Sequence, residues 1–296
     1  MKRRTTTARF RELGEELRRI RMKANLTGLE LAHRTGWGTT KVSRVESGHM
    51  KVSEVDLIHY LGACRVFPPQ ANALLSLCQD AHRHSDYWLE TQGEHLQDSI
   101  KAMIYHETTC GSSTAYEPQV VPGLLQTESY ARAIISRYSS RDDENVEFCV
   151  RARMERQQIL RRPIPPRFDF FVHEDALRLN VGGAPVMHEQ LLALVLMSGL
   201  PSVVFRVVPS SAVFGGAFHV YRYADHQPLV YLDAYIGGLF LEDQTFVDNY
   251  RQLVPAIADV ALNEGQSREY LAALASEYER ESEQSDAHSR VEEKQL

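Results

Sequence analysis

The 296-residue sequence predicts two domains: an all-α amino-terminal domain, followed by an α/β (α+β) domain with a mixed sheet of about four to five strands. Three observations predict this architecture. Apolar residues recur at helical spacing through the first part of the chain, short β-branched and aromatic runs alternate with helical segments after residue 167, and the two parts carry opposite charge. We place the domains at residues 1–84 and 85–278, with a disordered polar tail over 279–296.

Charge is distributed very unevenly along the chain. Residues 1–51 contain thirteen Lys and Arg against five acidic residues, a net charge of +8, whereas the whole chain carries −6. The remainder therefore carries about −14. A basic segment joined to an acidic one indicates that the amino-terminal part meets a polyanion and the rest does not.

The amino-terminal domain is predicted to contain five helices. Amphipathic spacing predicts a first helix over Arg9 to Ala24, two short helices within residues 26–48, a fourth over Ser53 to Cys64 and a fifth over Gln70 to His82. In the first short helix, Thr27 is the expected N-cap and Gly36 the expected end, with Leu29, Leu31 and Ala32 forming its apolar face.

The second short helix combines an apolar stripe with polar and basic side chains that point away from it. Val42 and Val45 lie three positions apart and are expected to face the core. The side chains expected to point away from that stripe and to read base edges are Thr39, Thr40, Ser43 and Arg44. Lys41 and His49 are placed for contact with phosphate. Two short helices around a glycine turn are typical of a helix-turn-helix.

The segment over residues 10–66 resembles the XRE family of lambda-repressor-like helix-turn-helix proteins. The resemblance depends on Leu31-Ala32, Gly36, the run from Val42 to Glu46, and Gly48. It implies that Glu46 pairs with Arg21 of the first helix, which fixes the reading helix and directs Arg21 towards phosphate. The chain has Gly28 where Gln is frequent, which leaves only backbone N–H groups there. The expected phosphate contacts are then Arg21, Thr27, Gly28, Lys41, Ser47, His49 and Lys51.

The second domain is predicted to mix helices and strands. We expect a helical connector from Tyr87 to about Ala102, a turn at residues 111–114, helices from Thr127 and over Asn145 to Arg161, and later helices over 185–196, 244–262 and 267–278. Strands are expected over 168–173, 203–208, 217–223, 229–233 and 238–242. The arginines of the long helix favour pairing with the domain's own acids over clamping an anion.

Ordered motifs in this domain resemble the carboxy-terminal domain of WhiJ-like regulators of filamentous actinomycetes, described as antitoxin-like. They are the run from Tyr116 to Ala131, Arg153 to Gln157, His173 to Arg178, Gly182-Gly183, Val207 to Pro209 and Gly237 to Glu242. The resemblance implies transcriptional control, often repression, and a small BldB-like partner protein. A small-molecule effector is the other expected partner of this domain.

We therefore predict a sequence-specific transcriptional regulator that binds double-stranded DNA as a homodimer on an inverted repeat. The alternative function is an antitoxin that holds a small toxin-like partner and regulates its own operon. Enzyme activity is a remote alternative, for which Glu174 and Asp175 beside His173, and Glu242 with Asp243, are the paired carboxylates. No nucleophile or phosphate-loop motif accompanies them, so we expect no catalysis.

Composition limits what we expect of cysteine chemistry, cofactors and cellular location. The four cysteines lie at positions 64, 78, 110 and 149, without the paired spacing of a zinc site, and are expected to be reduced thiols. We predict no metal and no cofactor. The sequence has no run of about eighteen apolar residues and no secretory start, so the expected location is cytoplasmic, associated with the nucleoid, without a membrane contact.

Overall fold

The computed structural model describes residues 7–83, 87–91, 97–138, 143–212, 214–234 and 237–293. The first five helices are α1 (Ala8–Lys23), α2 (Gly28–Thr35), α3 (Thr39–Glu46), α4 (Glu54–Ala63) and α5 (Pro68–Arg83). Each of the five predicted amino-terminal helices is therefore present. Leu29 is an exception to the predicted packing, because it is 61% exposed, and Leu31 and Ala32 alone bury that face of α2.

The later helices are α6 (Gln97–Thr109), α7 (Glu128–Tyr138), α8 (Asp143–Arg156), α9 (Glu174–Arg178), α10 (Ala184–Met197), α11 (Gln244–Val260) and α12 (Glu264–Glu293). Short 3-10 turns cover Gly123–Leu125 and Gln157–Arg161. The helix predicted over Asn145 to Arg161 thus changes to a tighter turn after Arg156. Polar composition predicts disorder from Glu279, whereas α12 continues to Glu293, since Glu, Arg, Ala and Gln favour helix propagation.

Seven strands form a mixed sheet: β1 (Tyr87–Thr91), β2 (Ser112–Glu117), β3 (Arg167–His173), β4 (Val203–Val208), β5 (Phe218–Arg222), β6 (Leu229–Ala234) and β7 (Gly237–Leu241). Their order is β1-β7-β6-β5-β2-β3-β4. Strand β2 is parallel to β3 and antiparallel to β5, and β3 is parallel to β4. The five predicted strands are β3 to β7, so the sheet is larger than the four to five strands expected.

Two segments correct the sequence-based assignment. The connector predicted as a helix from Tyr87 begins as β1, which pairs antiparallel with β7, and its helix starts only at Gln97; residues 92–96 lie outside the described residues. The Gly-Ser-Ser-Thr cluster predicted as a turn forms the start of β2. Ser113 and Thr114 are only 3% and 2% exposed, because β3 and β5 lie on either side of them. The two neighbouring strands also supply hydrogen-bond partners for the backbone of β2.

The described chain divides into two compact units. Unit 1 comprises Met1–Tyr105, Asp225–Leu229 and Ala234–Val247, and unit 2 comprises His106–Ala224, Val230–Asp233 and Asp248–Leu296. The core of the five amino-terminal helices surrounds Leu17, Leu31, Leu57 and Tyr60. The core of unit 2 lies between its strands and the packed helices α10 and α12, around Val172, Leu177, Leu191, Leu194 and Leu271.

Candidate nucleic-acid interface

Helix α3 has one buried face and one exposed face. Val42 and Val45 are each 2% exposed and belong to the amino-terminal core, as their three-residue spacing predicts. The four side chains expected to read bases, Thr39, Thr40, Ser43 and Arg44, are all exposed. Eight residues make a helix about 12 Å long, and the major groove is wide enough to admit a helix. The predicted reading face is therefore available to a duplex.

A buried ion pair ties α3 to α1. Arg21 donates from Nε to Glu46 Oε1 at 2.7 Å and from Nη2 to Glu46 Oε2 at 2.8 Å, in the two-bond geometry of a guanidinium and a carboxylate. Its Nη1 donates to the Leu26 carbonyl oxygen at 2.8 Å. The side chains of Arg21 and Glu46 are only 14% and 7% exposed. Most of Arg21 is thus committed to holding α3, and its phosphate contact remains a prediction.

Tyr60 completes this network from α4, and sequence reasoning missed it. Its hydroxyl donates to Glu46 Oε1 at 2.7 Å and lies 2.9 Å from the Leu17 carbonyl oxygen. Hydrogen bonding to Glu46 raises the pKa of Arg21, and burial raises the pKa of Tyr60, so the guanidinium group stays charged and the phenol neutral. No local pattern marks Tyr60, because its function depends on a carboxylate from another helix.

Two glycines allow α1 to lie directly against the end of α3. A Cβ at Gly14 would lie 2.6 Å from the carbonyl oxygens of Val45 and Glu46. Gly48 has φ +66°, and a Cβ there would lie 2.6 Å from the Arg11 Cα. Neither position tolerates a larger residue without a backbone shift. The angle of the reading helix is therefore set by backbone contact as well as by the ion pair.

The start of α2 is less suited to phosphate than predicted. Thr27 is the N-cap as expected, and it accepts from the Glu30 N–H at 3.2 Å while Glu30 Oε2 accepts from the Thr27 N–H at 2.7 Å. Hydrogen bonds from Thr27 lower the pKa of the Glu30 carboxyl group, which is therefore anionic. A carboxylate at this helix terminus competes with a phosphate for Thr27 and Gly28.

The remaining expected phosphate contacts differ in their surroundings. Ser47, His49 and Lys51 are exposed. The His49 Nδ1 lies 2.8 Å from Ser47 Oγ, and its ring centroid lies 4.9 Å from that of His226, within unit 1. Burial, followed by repulsion from Arg11 and His49, lowers the pKa of His226 to about 4. His226 is therefore neutral at physiological pH.

Lys41 is already paired with an acid of its own domain. Its Nζ lies 2.8 Å from Asp56 Oδ1 and 4.2 Å from the centroid of the Trp37 ring. Both side chains of the ion pair are about one-third exposed, at 33% and 29%. A lysine held by a neighbouring carboxylate neutralises less phosphate charge than a free one. Lys51, by contrast, is exposed and lies 5.5 Å from the Phe10 ring centroid.

We therefore predict that Asp56→Asn strengthens DNA binding and makes the logarithm of affinity fall more steeply with the logarithm of salt concentration, by up to about 0.9. Lys51→Ala should flatten the same slope by a similar amount, and Lys41→Ala should flatten it less. Fluorescence anisotropy over a salt series measures all three slopes. Equal slopes for Asp56→Asn and the unaltered chain would contradict the role given to Asp56.

The carboxylates considered for catalysis have structural partners. Glu174 accepts from Arg178 Nε at 3.0 Å and from the Tyr270 hydroxyl at 2.9 Å. His173 Nδ1 accepts from the Asp175 N–H and caps α9, and Nε2 lies 3.0 Å from the Ala212 carbonyl oxygen. These contacts favour a supporting role for this group of residues over acid–base chemistry.

Five arginines lie between residues 150 and 163, and the structure gives them different surroundings. Arg151, Arg161 and Arg162 are exposed. Arg156 Nε lies 3.1 Å from Glu107 Oε2, and these side chains are 8% and 1% exposed. Arg153 donates to Gln126 Oε1, at the end of the turn that starts at Gly123. Pairing with the domain's own acid, as the sequence favours, therefore holds for Arg156.

Comparison with known families matches both parts of the chain. Residues 12–75 match a family described as a helix-turn-helix domain, which agrees with the geometry of α2 and α3. Residues 100–292, about two thirds of the chain, match a domain of unknown function, DUF5753. No curated protein matches the chain. With a DNA-binding helix-turn-helix domain ahead of it, the chain belongs to the family of proteins that contain the DUF5753 domain.

Proposed function

We propose that the protein is a sequence-specific transcriptional regulator, a repressor that responds to a partner protein or a small ligand through its carboxy-terminal part. The observation that carries this proposal is the exposed polar face of α3, held at its buried end by Arg21, Glu46 and Tyr60. A polar helix fixed in this way loses little conformational freedom when it enters a groove. The match to a helix-turn-helix family supports the same interpretation.

The acidic charge of the rest of the chain supports a DNA-binding role for the amino-terminal helices alone. Its charge of about −14 disfavours contact with phosphate, so DNA is expected to meet only the basic amino-terminal helices. In the described part of the chain, no helix combines the length and the apolarity needed to cross a membrane. We propose, from its role in binding DNA, that the protein acts at the nucleoid in the cytoplasm and has no catalytic activity.

Selection from a random pool of duplexes tests the proposal whatever the operator sequence is. We expect an enriched inverted repeat whose half-sites are centred about 10 base pairs apart, bound by a homodimer. Footprinting on the selected duplex, with sedimentation of the complex, measures site length and stoichiometry. Enrichment of no sequence would exclude sequence-specific regulation, and a single half-site bound by one chain would exclude the dimer.

Arg44→Ala provides a matched test of base reading. If Arg44 donates two N–H groups to the O6 and N7 atoms of a guanine, its loss should weaken binding to the selected site by about 1–3 kcal/mol and relax the preference at one base pair. The control is Arg34→Ala, because Arg34 is exposed on α2 and donates to the Ala63 carbonyl oxygen instead. Equal weakening on all sequences would make Arg44 a phosphate contact.

A further inference from the structure

Unit 2 contains a buried polar cluster that the DNA-binding function does not use. It is formed where the end of α6 meets α8 and β5. Glu107 is 1% exposed and Tyr221 is completely buried. The Arg156 guanidinium is the cation next to the Glu107 carboxyl group, with Nε 3.1 Å from Oε2. Ionisable groups are rarely buried so deeply in a domain core, where each requires a hydrogen-bond partner.

The protein leaves hydrogen-bonding capacity unused in this cluster. Among the described residues, no protein group makes a hydrogen bond with either carboxyl oxygen of Glu107 or with the Tyr221 hydroxyl. A buried oxygen without a hydrogen bond destabilises the fold, and phenylalanine would fill the space of Tyr221 without that cost. Groups retained in this way are typical of a site that meets a partner from outside the chain.

Two arginines give the cluster a positive side. A Cβ at Gly123 would lie 3.1 Å from Arg156 Nη2 and 3.8 Å from Arg153 Nε, so both guanidinium groups pack beneath the turn that starts there. Burial and the neighbouring Arg156 lower the pKa of Arg153 to about 10, which leaves it cationic at pH 7. Burial raises the pKa of Glu107. Two guanidinium groups beside one carboxyl group leave an excess of positive charge in the cluster.

Flat rings surround the same groups. The His106 and Tyr221 ring centroids are 5.9 Å apart, and the His219 ring is stacked on that of Tyr221 with centroids 6.0 Å apart and planes 17° apart. The Tyr231 ring lies 5.8 Å from that of His219. The His106 ring is tilted by 31° from that of Tyr221 and the Tyr231 ring is edge-on to that of His219 at 61°, so the stacked His219–Tyr221 pair is the flat surface of the cluster. Aromatic faces bind planar organic molecules, with a few polar groups that fix their orientation.

Two of the six motifs that DNA binding leaves unexplained meet at this place. The turn from Gly123 and the Gln126 side chain belong to the run from Tyr116 to Ala131, and Arg153 and Arg156 belong to the motif that ends at Gln157. Gln157 Nε2 donates to the Gln126 carbonyl oxygen, which joins the two motifs directly. These two motifs therefore contribute to one buried polar site.

We propose that this cluster binds a small planar organic acid. Its carboxylate accepts from the Arg156 guanidinium and the Tyr221 hydroxyl, a hydroxyl group on the acid donates to Glu107, and its ring lies against the Tyr221 and His219 rings. Binding itself is independent of DNA. Only its use as a regulatory signal rests on the proposed function.

Isothermal titration of the full chain, without DNA, tests the site with 4-hydroxybenzoate as the probe and 4-hydroxybenzamide as the matched neutral compound. We expect saturable binding of the acid, with the amide at least about tenfold weaker, since charge-assisted hydrogen bonds exceed neutral ones by this order. Tyr221→Phe should weaken binding of the acid by about tenfold or more. Absence of binding, or equal binding of acid and amide, would overturn the proposal.

Thermal unfolding separates a ligand site from a purely structural hydroxyl. Without ligand, Tyr221→Phe should raise the unfolding midpoint, because it removes a buried hydroxyl that has no protein partner among the described residues. The control Tyr278→Phe should lower the midpoint and leave binding of the acid unchanged, since the Tyr278 hydroxyl donates to the Arg178 carbonyl oxygen at 2.9 Å. If Tyr221→Phe lowered the unfolding midpoint and left binding of the acid unchanged, the Tyr221 hydroxyl would be hydrogen-bonded to a buried water. That result would refute the proposed ligand site.

Discussion

Glu46→Ala should lower the free energy of unfolding of the amino-terminal helices by about 3–5 kcal/mol, the largest single effect that we expect. The substitution leaves the Arg21 guanidinium buried without its counter-charge and removes one of the two acceptors of the Tyr60 hydroxyl, so that only the Leu17 carbonyl oxygen is left. Urea unfolding monitored by far-ultraviolet circular dichroism measures the loss. The exposed control Glu16→Ala, which breaks a surface pair with Arg19, should change stability by less than about 1 kcal/mol.

A double variant distinguishes the effect of this ion pair on stability from its effect on the position of α3. Arg21→Met combined with Glu46→Leu removes both charges, so the double variant should be less destabilised than the sum of the two single ones. In this variant no ion pair joins α3 to α1. We therefore expect weaker and less selective DNA binding even where the stability is recovered. Additive losses of stability would contradict the strength assigned to this pair.

The second large effect concerns Glu242, which follows β7 and lies in unit 1. Its Oε1 accepts from the Ala8 N–H at 2.7 Å, at the start of α1, and from Arg11 Nη2 at 3.4 Å. The side chains of Glu242 and Arg11 are 8% and 2% exposed. Burial raises the pKa of Glu242 to about 7, and Arg11 and the Ala8 hydrogen bond offset only part of that rise.

The direction of the pH effect follows from this raised pKa. Below pH 4.5 the carboxyl group is protonated in both folded and unfolded chains. As the pH rises from 4.5 to about 7, the unfolded chain ionises first, so the folded state loses stability relative to it. Above about pH 7 both states are ionised and the loss is complete. It amounts to about 3 kcal/mol from this one group.

Glu242→Gln should therefore remove this part of the pH dependence and make the chain more stable than the unaltered protein at about pH 8, by roughly 2–3 kcal/mol. Urea midpoints at about pH 5 and about pH 8 measure the difference for both chains. Glu128→Gln is the control, because Glu128 is 60% exposed and should change neither midpoint appreciably. If the urea midpoints of Glu242→Gln and of the unaltered chain changed with pH in parallel, Glu242 would not be an acid whose pKa is raised by burial.

Local chemistry accounts for what could be predicted about the site. The spacing of Val42 and Val45 determines which face of α3 is buried, and hence that Arg44 is exposed on the other. Thr27 begins α2 as its N-cap, and Gly36, with φ +72°, ends it. These features depend on residues within one or two turns, where periodicity and capping are informative. The same reasoning identified β3 to β7 from short β-branched and aromatic runs.

Other features depend on partners far away in the sequence. Ser113 and Thr114 look like turn residues, yet strands on both sides make them part of β2. Nothing near Lys41 indicates that Asp56 would pair with it, and Gly14 carries no sign of its contact with the end of α3.

The sequence alone therefore determined the helices of the amino-terminal domain, the exposed face of α3 and the excess of positive charge there, because each follows from short-range periodicity and composition. Only the tertiary structure decided which charges pair with neighbours: Glu46 with Arg21, Asp56 with Lys41 and Glu107 with Arg156. It also decided that Glu242 is buried. Burial and pairing are properties of groups brought together by folding, and they set whether an ionisable side chain supports the fold or remains available to a ligand.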